Sequence, residues 1–336
     1  MRFSFNEDQR AIRDAARTFC ADELDLADLP GREGKPADPA FWRALTTLGV
    51  LELLIDPAGS GLGVVGAAIA FEHLGAHLVT GPVLWSVLAA PFVPGVAEGA
   101  VRVTGVEVRD GAGGPVVVEH AEESDALVVL RDDRLELCAR SDLPPASGGS
   151  PLDPLTPAVA FPSIPAGQVL GGVEAARQVR RSGEILSAAL LVGVAQGALD
   201  AAWAYALRRE QFGEPIGSFQ AIKHLLADMY VRLELARAAM YAAAAIAARP
   251  RADDAERVAD ADLAGDAERA AGAAKLLAGE AGVANGRAAV QVLGGMGFTW
   301  DMLPHYFLKR AWVLENAFGA TSDHAARLAA SVATHS

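Results

Sequence analysis

The chain is poor in cysteine. Cys20 and Cys138 are its only two in 336 residues. They stand far apart without metal-ligand spacing, which argues against a disulfide framework and a thiolate metal site. Reduced thiols in a cytoplasmic protein are the expectation. Lysine is scarce too, confined to Lys35, Lys223, Lys275 and Lys309. No basic run interrupts a net charge of -13, so neither nucleic acid nor an anionic membrane is expected as the main partner. The opening stretch MRFSFNEDQR has no apolar signal core. The longest apolar stretch, Ile185 to Leu199, is short for a membrane span and contains Ser187 and Gln196. There is no internal repeat, and no tryptophan lies between Trp85 and Trp203.

What is present is apolar periodicity, in 51% hydrophobic residues. The length favours two or three domains over one core. Residues 1–95 read as helices. Ile12, Ala15, Ala16, Phe19 and Cys20 share one face behind a capping Asn6. Residues 96–172 carry short β-branched runs between turns, the texture of a small β domain. Residues 173–336 return to long helices. The expected fold is mostly α with a small β domain between two helical ones.

The most elaborate connection is REQFGEPIGSFQ, 209–220. Ser218 is placed to cap the helix that follows. The loop offers backbone N–H groups, Arg209 and two glycines, a fit for phosphate or pyrophosphate. An ordinary turn with a surface arginine is the plain alternative, and this loop alone favours it. The segment QVLGGMGF, 291–298, shifts that balance. Gly294 and Gly295 suit a helix C-cap. They also let a ligand lie on bare backbone beside the Gln291 amide.

Together these two runs resemble the signature of the acyl-CoA dehydrogenase family. FEHLGAHLVTGPV and SPLDPLTPAVAF resemble further family segments, so the likeness spans the chain. It implies an N-terminal helical domain, a truncated middle β-barrel and a C-terminal four-helix bundle. It implies FAD as cofactor and an acyl-CoA substrate, in a flavoprotein oxidoreductase. Arg209, Gln211, Phe212, Ile216, Phe219, Gln291, Gly294 and Gly295 would meet the pyrophosphate and adenine end of a flavin held by the neighbouring chain. Thr321 matches the family threonine that contacts FAD.

The sequence departs from the family where the chemistry should sit. The family base, a glutamate in the last bundle loop, falls on Gly319. An alternative family position falls on Gly183, with Glu184 next to it. One step turns a helical side chain by about 100 degrees, so Glu184 is a candidate base only with a shifted helix start. Its plain role is a first-turn acid favoured by the helix dipole. The family's flavin-ring segments of the middle domain are missing.

The expectation is therefore an accessory subunit paired with a longer acyl-CoA dehydrogenase, an α2β2 hetero-oligomer. Shortened paired subunits of this kind occur in actinobacterial steroid side-chain degradation. The alternatives are a self-sufficient homo-oligomer using Glu184, and a non-redox CoA-thioester binding or assembly module. His73 and His77 lie one helical turn apart without a third ligand, so no metal site is expected.

Overall fold

The computed structural model describes residues 4–55, 62–109, 114–249 and 257–333. The glycine-rich break after Ile55 and residues 250–256 lie outside the described residues. The chain divides into two compact units, Met1–Ala67 with Thr80–Gly183, and Ala68–Val79 with Glu184–Ser336.

In the first unit Asn6 caps α1 (Glu7–Glu23) as the sequence predicts. Its side chain accepts from the Gln9 N–H at 2.8 Å, and the Gln9 side chain accepts from the Asn6 N–H at 3.0 Å. Ala16, Phe19 and Cys20 form the buried face. Burial pushes the Cys20 thiol up to about 12. Short α2 (Leu29–Arg32) leads to α3 (Pro39–Thr47), whose Asp38 cap accepts from the Ala40 N–H at 2.6 Å. α4 is Gly63–Ala76. α5 (Val83–Ala89) gives no helical signal in the sequence, because VLWSVLA has no polar face to set a period.

The β region forms two small sheets. The first has the order β1 (Val103–Glu107), β3 (Ala126–Leu130), β4 (Leu135–Ala139), β7 (Gln168–Gly171). Its first pair is parallel and the others antiparallel. The second is antiparallel, with β6 (Ala158–Phe161) between β2 (Val116–Glu119) and β5 (Ser147–Gly148). Val118 and Phe161 of this sheet share an apolar core with Leu127, Val129 and Cys138 of the first.

The second unit is helical. It takes most of α6 (Val173–Arg208), then α7 (Gln220–Ala247), α8 (Arg257–Leu293), α9 (Pro304–Asn316) and α10 (Thr321–Ala333). By length and composition α6 could cross a membrane, yet 83% of its apolar window is buried inside the protein, as in a core helix. Its apolar stretch packs against the end of α4 through glycine. A Cβ on Gly193 would stand 2.1 Å from the Glu72 carbonyl oxygen, and one on Gly75 2.2 Å from that of Leu190. The backbones therefore touch, and the helices can cross there only without side chains.

Close approach brings a polar network with it. Glu72 accepts from Arg237 Nε at 2.7 Å and from the Tyr241 hydroxyl at 2.5 Å. Arg237 also donates to Gln196 Oε1 at 2.7 Å. This ties α4, α6 and α7 together with a charge-assisted pair. Gly193→Ala places a methyl inside a backbone contact that no rotamer change relieves. We expect a loss of roughly 1–3 kcal/mol or more, the usual range for overpacking. Urea unfolding of the purified variant checks it, and an unchanged midpoint would mean that α4 and α6 separate freely.

Candidate functional site

The 209–219 connection is a tight hairpin. β8 (Glu210–Gln211) pairs with β9 (Glu214–Pro215), with Gln211 opposite Glu214. The two residues at its tip, Phe212 and Gly213, both have positive φ, 56° and 85°. That is the backbone of a type I′ turn, which suits glycine and strains phenylalanine. Phe212 is also 94% exposed, its ring edge-on to Phe219 at 6.1 Å. A large apolar ring is thus displayed at a backbone cost of order 1–3 kcal/mol. Arg209 and Gln211 are exposed beside it, and Ile216 is half-buried.

Ser218 does not cap α7, contrary to the sequence expectation. The N-cap is Phe219, without a side-chain bond, because a 3-10 turn over Ile216–Ser218 delays the helix by one residue. Ser218 Oγ is left buried without a hydrogen-bond partner.

The second segment ends α8. Gly294 has φ 59° and Gly295 nothing within 4 Å, so both glycines present open backbone beside exposed Gln291. The C-cap and the open surface coexist here. Among the described residues no hydrogen bond or ring contact joins this segment to the hairpin.

Gly319 and Glu184 meet through a third group of residues. Glu184 lies well inside α6, which begins at Val173; the first-turn acid is Glu174. The dipole role expected of Glu184 is therefore corrected. It is 3% exposed and accepts from Arg327 Nη2 at 2.8 Å. The same nitrogen lies 2.6 Å from His324 Nδ1, and His324 Nε2 lies 3.0 Å from the Phe318 carbonyl oxygen. Lys275, fully buried, donates to the carbonyls of Glu315 at 2.8 Å and Gly319 at 3.2 Å. Burial first, then the Arg327 and Lys275 cations, lower the His324 pKa from 6.5 to about 4.

Thr321 stands apart from the hairpin residues. With Arg232, Leu235, Glu280, Arg287 and Trp312 it lines a groove of about 620 Å³. Its N–H donates to Glu315 Oε1 at 2.8 Å. His77 Nδ1 sits 3.0 Å from the His73 carbonyl, which gives that pair a local structural role. Sequence reasoning missed the Glu72–Arg237 network and the Glu184–Arg327–His324 group. Their longest links span 169 and 143 positions respectively, and no local pattern signals them.

Comparison with known proteins bears on this arrangement. The model of the acyl-CoA dehydrogenase C-terminal domain matches residues 171–333, and that of the N-terminal domain residues 6–97. The chain is 30% identical over 282 residues to the acyl-CoA dehydrogenase IpdE2 of Mycobacterium tuberculosis, covering 82% of this chain and 80% of that protein. It is 42% identical over 144 residues to acyl-CoA dehydrogenase FadE34 of the same organism, which is 43% of this chain and only 18% of FadE34. The solved ChsE4–ChsE5 complex from M. tuberculosis contains a chain that superposes with TM-score 0.80 at 23% identity, over 99% of each chain.

The depressed His324 pKa makes stability depend on pH with a definite sign. Below about pH 6.5 the unfolded imidazole takes a proton, while the folded one stays neutral down to about 4. This contribution is complete above pH 6.5 and is lost as pH falls toward 4, on the order of 3 kcal/mol in all. His324→Gln keeps an N–H for the Phe318 carbonyl and removes the titration. Urea melts across this window should show a shallower slope in the variant; equal slopes would assign the dependence to other groups.

Proposed function

The chain belongs to the acyl-CoA dehydrogenase family, and from that premise we propose that it is the accessory subunit of an FAD-dependent acyl-CoA dehydrogenase. Its partner in this reading is a longer chain of the same family, its substrate class an acyl-CoA thioester. Steroid side-chain degradation is the setting to which the sequence resemblance points. The observation that carries the reading is the hairpin tip, where Phe212 is 94% exposed in a strained left-handed backbone. Strain and exposed apolar surface coincide at a surface that awaits a partner.

The donor set fits one end of FAD. Arg209 would hold the pyrophosphate by a charge-assisted bond. The Gln211 and Gln291 amides would take hydrogen bonds, and the bare backbone at Gly294 and Gly295 would allow close approach. The buried, unpartnered Ser218 Oγ is consistent with a ligand at this loop. Phe212 would cover the site and exclude water. FAD, when bound, supplies the acceptor for the hydride leaving the acyl β-carbon. The proton on the α-carbon needs a carboxylate in a dry site, and at Gly319 this chain offers none. The Glu184 carboxylate is engaged with Arg327.

Expressed alone, the chain should bind FAD weakly and reduce no dye acceptor. Co-expressed with its partner, it should carry about one flavin per two chains, as two half-sites making one whole require. Arg209→Ala should lower flavin retention roughly 10- to 100-fold, from a hydrogen bond to a charged group worth about 1.5–3 kcal/mol. Full flavin occupancy in the isolated chain would sink the accessory reading.

Glu184→Gln keeps a hydrogen-bonding side chain and removes the proton acceptor. Turnover of the assembled, flavin-loaded complex should stay within about twofold of the parent, against the 10²–10⁴-fold loss that removing a general base causes. A large loss with flavin retained would make Glu184 the base and favour the self-sufficient homo-oligomer.

A further inference from the structure

The turn between α9 and α10 is held from three helices. Lys275 of α8 binds the carbonyls of Glu315 and Gly319, and His324 of α10 binds that of Phe318. Arg327, one turn along α10, joins His324 to Glu184 of α6. α8 accepts α10 at two glycines. A Cβ on Gly279 would lie 2.6 Å from Thr321 Oγ1, and one on Gly272 3.3 Å from His324 Nδ1.

Two consequences follow from this geometry. The Arg327 guanidinium has no acceptor, so its 2.6 Å contact makes His324 Nδ1 the acceptor. The ring proton is then on Nε2, donated to the Phe318 carbonyl. The second consequence concerns direction. Phe318 and Gly319 have φ 56° and 94°. A Cβ on Gly319 would point at the imidazole, 3.1 Å from Nε2 and 3.6 Å from Cε1. A side chain at 319 would therefore start against the His324 ring.

We infer that Lys275, His324, Arg327 and Glu184 are positioning residues that lock the Phe318–Gly319 turn with position 319 facing inward. Absence of a base in this chain is then a property of the turn as well as of one residue. Restoring a carboxylate at 319 alone does not restore a base. This rests on the reading of 319 as the family's base position, but the lock is testable without flavin, partner or turnover.

The experiment uses the full chain with ¹⁵N-histidine labelling and thermal melts. In the wild type, His324 should show a protonated Nε2 and an unprotonated Nδ1 from pH 5 to 8. Gly319→Glu should disturb that signature and lower the melting temperature by roughly 3–10 °C. His324→Ala removes the ring the new side chain meets. In that background Gly319→Glu should cost less than half as much, a non-additivity expected of residues in contact. Should Gly319→Glu fail to fold, Gly319→Ala serves in the same cycle with a smaller shift. An Nδ1–H tautomer in the wild type would overturn the lock. So would an unchanged melt and signature in the Gly319 variant, or strict additivity in the cycle. If the lock holds and the isolated chain still proves active, only the accessory reading fails.

Discussion

The helical unit depends on one constraint, the direct backbone contact of α4 and α6. Gly75 and Gly193 sit where the chains meet, with room for no side chain on either. Such contact is favourable only if the polar groups beside it are satisfied, since an unpaired buried charge is costly. Glu72, Arg237, Tyr241 and Gln196 meet that condition across α4, α6 and α7. The glycines bring the helices close, and the network fixes their register. Buried Asn285 adds an inter-helix tie, its Nδ2 donating to the carbonyls of Met229 at 3.0 Å and Ala195 at 3.4 Å, while its Oδ1 has no hydrogen-bond partner.

A second buried polar group governs the α9–α10 end of the helical unit. Lys275 is an ammonium with essentially no solvent access, held by backbone carbonyls of the α9–α10 turn. Two left-handed residues, Phe318 and Gly319, shape the turn that carries the second of these carbonyls. His324 remains neutral beside two cations because its ring is buried and its Nδ1 lone pair is used by Arg327. The same arrangement holds the turn from within. Strain appears at both distinctive places, Phe212 and Phe318, each a non-glycine residue at φ 56° followed by a glycine. One is displayed at the surface and the other buried at 3% exposure. The same local geometry thus displays a ring at the surface in one case and closes a buried turn in the other.

Much of the local structure is legible in the sequence because it is set by neighbours. Asn6 and Gln9 are three residues apart and cap one helix. β1 to β3 and β6 carry β-branched residues between turns, and β4 alternates apolar with polar. Where local signals conflict or vanish, the sequence is silent. α5 is too uniformly apolar to show a period. Ser218 has the right chemistry for a cap, but the turn before it moved the helix start to Gln220.

By itself, the sequence determined the helix–β–helix order, the family likeness through 209–220 and 291–298, and the absence of a carboxylate at 319. These rest on residue identity and short spacing, which chain connectivity preserves. Only the tertiary structure decided that Glu184 meets Arg327, that Arg327 meets His324, and that position 319 faces them. Those residues come from α6, α10 and the turn before it. Their meeting depends on how far each helix is rotated and how closely glycine lets it approach, which no local pattern encodes.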